Sequence, residues 1–222
     1  MRKNILFILA VSLIFVSCGP NSKYIKRIQS LEEGVTNPTT IAELEDAISK
    51  YENRVEDIIA AEAQTGIWYK ILATRYMDNK MYGQALKAFQ MAIQYYPENQ
   101  NLYYFVGVCA GYMANAELDY NGTGGSSKRE NYLKLAESAY LRAIELENRY
   151  ARALYGLGVL YVFELDQSEK AIPILEKLLS IETKHTDGMF VLARAYYVNY
   201  DFQKAADMYD KIISTTTSEE KR

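Results

Sequence analysis

A chain of 222 residues that is 49% hydrophobic and 24% charged, with four prolines, is long enough to bury a substantial core and unlike a disordered or collagen-like polymer. Its formal charge of −3 at pH 7 suggests no nucleic-acid partner, and its one histidine excludes histidine pairs and multi-histidine metal sites within a chain. No catalytic constellation, metal site or cofactor is expected.

At the N-terminus, Arg2 and Lys3 precede an uncharged, mostly apolar run from Ile5 to Val16. That run fits the core of a signal peptide and falls short of the ~20 residues that cross a bilayer. It ends in Phe15-Val16-Ser17-Cys18, which resembles the lipobox of bacterial lipoproteins, with Phe15 in place of the usual leucine. The resemblance implies that residues 1–17 are removed and that Cys18 is acylated and holds the protein on an envelope membrane, the outer membrane on its periplasmic side. Several acyl chains on one cysteine satisfy the requirement for more than one anchor. Residues 18–22 then form the lipidated cysteine and a short linker. Cys109, left without a disulfide partner, is expected to be a small buried hydrophobe.

Residues 23–65 are predicted to form an N-terminal helical cap over the array that follows. Tyr24, Ile25, Ile28 and Leu31 make a short amphipathic stretch, and Asn37-Pro38 forces a break. Thr40-Ile41-Ala42-Glu43 reads as a capping box that opens a long helix through Tyr51, Val55 and Ile58, expected to end before Gly66.

Beyond it the chain repeats. Tyr69, Leu72, Ala73 and Tyr76 mark one helix, and Ala85, Phe89, Ala92 and Pro97 mark a second after the turn Asn79-Lys80-Met81. This pair resembles a tetratricopeptide (TPR) repeat. A second copy carries Tyr103, Val106 and Gly107, then Ala136, Tyr140 and Ala143, with 17 residues inserted. A third carries Leu154, Leu157, Gly158 and Tyr161, then Ala171, Leu175 and Leu178; a fourth carries Met189, Leu192, Ala193 and Tyr196, then Ala205, Tyr209 and Ile212. The fold class implied is an all-α TPR superhelix of about four repeats, at 66–99, 100–150, 151–185 and 186–219, with a tail at 220–222. The insertion contains Asn121-Gly122-Thr123-Gly124-Gly125, which lacks phosphate-loop spacing and a preceding strand and reads as a loop between two elongated helices. His185 is expected at the surface.

In TPR arrays the first helix of each repeat lines a concave groove. Carried over, the first repeat contributes Ile67, Lys70, Thr74, Met77 and Asp78, and the second Asn101, Tyr104, Val108, Gly111 and Tyr112. The third gives Arg152, Tyr155, Val159, Val162 and Phe163, and the fourth Asp187, Phe190, Arg194, Tyr197 and Val198. Candidate binding residues are the aromatics Tyr104, Tyr112, Tyr155, Phe163, Phe190 and Tyr197 with the cations Lys70, Arg152 and Arg194. The alternative is that several of these aromatics pack on one another and close the groove.

The resemblance implies a non-enzymatic, membrane-anchored scaffold for a protein or peptide partner in the envelope, with oligomerisation left open. The carboxylate clamp of chaperone-binding TPR proteins is disfavoured, because Lys70 fits but Thr74 and Phe105 do not. Two other functions remain open. Spirochaete TPR lipoproteins that the chain resembles pair with the binding protein of tripartite solute importers, and outer-membrane assembly machinery also contains a TPR lipoprotein.

Overall fold

A computed structural model describes residues 38–117 and 127–220, with side chains to 216. The signal sequence, Cys18, the amphipathic stretch 24–31 and most of the glycine-rich loop lie outside the described residues. The chain divides into two units, Met1–Ile59 and Ala60–Arg222.

In the first unit, helix α1 (Ile41–Asp78) begins. Its start is the expected capping box: the Thr39 and Thr40 amides donate to Glu43 Oε2 at 2.9 and 3.0 Å, and the Glu43 amide donates to Thr40 Oγ1 at 3.3 Å. These bonds to the charged carboxylate hold its pKa down at about 2.

The helix does not end before Gly66; it runs on to Asp78 and supplies the first helix of the second unit. Glycine costs a helix interior only ~1 kcal/mol and does not by itself stop it. Here it serves close packing, since a Cβ at Gly66 would stand 2.6 Å from both Tyr95 Cβ and the Tyr96 ring. The Tyr96 hydroxyl then donates to the Ala63 carbonyl at 2.7 Å.

The second unit continues through α2 (Tyr82–Tyr95), α3 (Gln100–Ala116), α4 (Ser127–Leu146), α5 (Ala151–Val159), a π-helical turn Leu160–Glu164, α6 (Ser168–Ile181), α7 (Thr186–Val198) and α8 (Phe202–Glu220). From α2 onward successive helices pair, with α3 and α4 forming the elongated pair, and the C-terminal part of α1 packs on α2 through Ala73 and Ala85. Three hairpin turns share one device: Lys80, Asp166 and Tyr200 take left-handed backbone angles (φ 59°, 51° and 64°). The next amide in each turn donates back to the carbonyl of Tyr76, Tyr161 or Tyr196, which satisfies the helix C-terminus.

Small residues let the helices approach. Ala73, Ala85, Phe89, Ala92, Leu102 and Cys109 form one buried cluster, and Ala136, Ala143, Leu154, Leu157, Leu175 and Leu192 belong to a second. Cys109 is fully buried, and the loss of solvent pushes its thiol pKa up to about 12, as a structural cysteine requires. Tyrosine hydroxyls tie neighbouring repeats: Tyr161 donates to Glu137 at 2.9 Å and Tyr196 to Glu176 at 2.5 Å. Burial, followed by the bond to Glu137, raises the Tyr161 pKa to about 12. His185 is not a free surface histidine. It is half-buried at the start of α7, where its Nδ1 accepts from the Gly188 amide at 2.9 Å.

Candidate functional site

The site grows from one ring and two glycines. Tyr140, on α4, is buried between α3 and α5, where a Cβ at Gly107 would stand 2.6 Å from the ring and one at Gly156 would stand 2.8 Å from it. Burial, with Tyr104, Cys109 and Tyr112 nearby, raises the Tyr140 pKa well above that of an ordinary phenol. The ring stays neutral and holds the two first helices of repeats two and three at a fixed spacing.

Above it opens a cavity of about 340 Å³. Tyr104, Tyr112 and Tyr155 form its aromatic wall, with Tyr140 also in the lining. Gly111 also lines it, and a Cβ there would meet nothing within 4 Å, so the absence of a side chain keeps the space open. The wall is braced from outside: Tyr82 stacks on Tyr112 with centroids 4.1 Å apart, Tyr150 meets Tyr104 edge-on at 5.8 Å, and Tyr155 lies 4.9 Å from the His185 ring. Rings fixed in this way lose little further freedom on binding a ligand.

Two charges of opposite sign edge the cavity. Arg152 is exposed, with its guanidinium carbon 5.3 Å from the Tyr104 centroid. Glu164 also lines the space and is paired with Arg129 at 2.7 Å. Arg152 faces water beside the Tyr150 hydroxyl, with which it hydrogen-bonds, whereas Glu164 is paired with Arg129.

The π-helical turn explains why Glu164 lies here. Leu154 and Ala171 are 17 positions apart, one more than Tyr69 and Ala85 or Met189 and Ala205. The turn Leu160–Glu164 absorbs that extra residue inside the first helix of repeat three. It also corrects the carried-over register: Val162, expected on the groove, is buried, and Phe163 is exposed without lining the cavity.

Of the nine residues predicted for the groove, Tyr104, Tyr112, Arg152 and Tyr155 share this cavity. Lys70, Phe163, Phe190, Arg194 and Tyr197 do not line it. Lys70 is exposed on α1, and Phe190 lies 6.2 Å from Tyr209. Arg194 stands over Tyr197 at 5.9 Å and Tyr197 is 5.4 Å from Phe202 on α8, while Phe190 and Tyr197 stay about half exposed. Tyr140, Glu164, Asn115 and Gly156 are lining residues that the sequence reading did not select. The 17-residue spacing was the available signal for Glu164; the others needed the helix crossing itself. Among the described residues no group of three or more His, Cys, Asp or Glu side chains is placed to hold a metal, and no helix is long and apolar enough to cross a membrane.

Stacked helix pairs with small residues at the crossings and a cavity between the first helices of two of them define an α-hairpin repeat protein. One repeat, residues 151–185, matches the tetratricopeptide repeat family model, and the fold is an all-α TPR superhelix. The chain is 23% identical to a TPR repeat-containing protein of Borreliella burgdorferi over 98% of its own length and 94% of that protein's. Among solved structures it is similar to MamA (TM-score 0.60, 20% identity, 84% of this chain and all of that one). It is also similar to YrrB, described as a TPR protein with an unusual peptide-binding site (TM-score 0.54, 21% identity, 92% and 91%). A third is the first TPR of Spaghetti, solved with an HSP90 peptide (TM-score 0.51, 18% identity, 62% and 95%).

Proposed function

We propose that this chain is a non-enzymatic scaffold of a bacterial envelope, held to a membrane through acylated Cys18, that binds an extended segment of a partner protein in the cavity between repeats two and three. The observation that carries the reading is the cavity's construction: three braced tyrosines, a glycine that leaves the space open, and one solvent-facing arginine at the edge. Such a site suits an apolar or aromatic side chain flanked by an acidic or carbonyl group, with the rings supplying contact area and Arg152 orienting the polar group. Fold likeness to proteins described as binding peptides supports this class of partner.

Binding of a small solute, as a subunit of an importer would require, is the second reading. The volume of about 340 Å³ favours it, because it falls within the span of small-molecule sites. Titration of the purified chain with a peptide selected from a random phage-displayed library, against a panel of small organic acids, separates the two. Saturable peptide binding that Tyr155→Ala removes supports the scaffold. Binding of an acid alone, lost with the same variant, replaces it with the solute reading.

A further inference from the structure

The first half of α1 carries a seam that the TPR array does not use. Ile41, Leu44, Ile48, Tyr51, Val55 and Ile58 alternate at steps of three and four along one continuous helix, and all six are between 41% and 77% exposed. Steps of three and four are the a and d positions of a heptad, and Glu62, at the next a position, ends the run. Past that point the same stripe changes use, since Tyr69 and Tyr76 pack on the first core cluster.

We infer that residues 41–58 are a self-association surface that pairs with the same segment of a second copy as a short parallel coiled coil. Two features select this occupant. All three a positions are β-branched, Ile41, Ile48 and Val55, and the first d position is Leu44, the combination that favours two strands in parallel; Tyr51 and Ile58 hold the other two d positions. The flanking charges select the direction: Glu45 and Glu52 occupy e positions, and in a parallel pair they face Thr40 and Ala47 of the other chain. An antiparallel pair would set Glu45 against Glu52 at both ends of the seam, and like charges there repel. The segment is about 27 Å long at 1.5 Å per residue, so the pair buries on the order of 1,000 Å² in total, near the lower edge of specific interfaces. The dimer is therefore concentration-dependent.

The test uses the full chain carrying Cys18→Ala, purified in detergent, so that buried Cys109 is the one remaining native thiol. Sedimentation at tens of micromolar is expected to show a dimer that Ile48→Asp/Val55→Asp dissociates at least tenfold, with the thermal unfolding of the array unchanged. Leu44→Cys is expected to form an interchain disulfide under mild oxidation at least tenfold faster than Asp46→Cys, which lies on the opposite face of the helix. A monomer at all concentrations, as when an upstream segment of the same chain covers the seam, overturns the inference. So does a dimer indifferent to the double variant, or equal cross-linking at 44 and 46.

Discussion

Repeats two and three and repeat four place aromatics at equivalent positions with opposite results. Tyr104, Tyr155 and Phe190 occupy the same place in their repeats; the two tyrosines line an open cavity, whereas Phe190, about half exposed beside Tyr209, does not line it. What differs is the small residues around them. Repeats two and three set Gly107 and Gly156 against one buried ring and Gly111 against open space. Repeat four has Ala193 where repeat two has Gly107, Val191 where repeat three has Gly156, and Tyr197 where repeat two has Gly111. Tyr197 stands where that gap would be and meets Phe202 at the surface. An aromatic groove position makes a site only where a neighbouring position has been emptied.

The largest effect expected is on stability. Gly107→Leu and Gly156→Leu each drive a side chain into the Tyr140 ring and should cost about 1–3 kcal/mol, read as a shift in the urea midpoint. Gly111→Leu, at a position where an added Cβ meets nothing within 4 Å, should leave the midpoint unchanged or raise it by up to ~1 kcal/mol through helix propensity. Equal losses at all three would show that Gly111 is packed and the cavity closed.

Next is the split among the aromatics. Tyr104→Ala and Tyr155→Ala should weaken a bound peptide by about 2 kcal/mol or more, and Phe190→Ala and Tyr197→Ala by a few tenths, measured by calorimetric titration. Equal losses in both repeats would extend the site along the whole array. Arg152→Ala should act more modestly, lowering the association rate and flattening its salt dependence, because the guanidinium is exposed at the edge.

The smallest effect belongs to the start of α1. Because the Glu43 pKa is lowered from 4.5 to about 2 by bonds to its charged form, the contribution is present above the unfolded value and lost as pH falls from about 4.5 towards 2. Helical signal in the wild type should decline over that window, whereas Glu43→Gln should start lower at pH 6 and show less of the decline.

Much of this arrangement was legible in the residues. The repeat register could be read because its marks are small residues at crossings, Ala73, Ala85, Gly107, Ala136 and Ala171, and crossings tolerate few alternatives. The capping box at Thr40 was equally local. Two features escaped because sequence signals them only by what fails to happen. Gly66 looks like a helix stop until Tyr95 and Tyr96 are found packed on it. The third repeat looks regular until its one surplus residue is found coiled into the π turn, which moves Val162 inward. His185 escaped for another reason: a ring nitrogen accepting at a helix start stands in for the usual Ser, Thr, Asp or Asn.

The central claim is that the emptied position Gly111 makes the cavity a binding site. The most direct measurement is the affinity of one library-selected peptide for the wild type, Gly111→Leu and Phe190→Ala, each first shown to unfold at the wild-type midpoint. Loss of at least tenfold in affinity with Gly111→Leu, and wild-type affinity with Phe190→Ala, is the predicted result. Undiminished binding to Gly111→Leu would contradict it and place the partner elsewhere on the array.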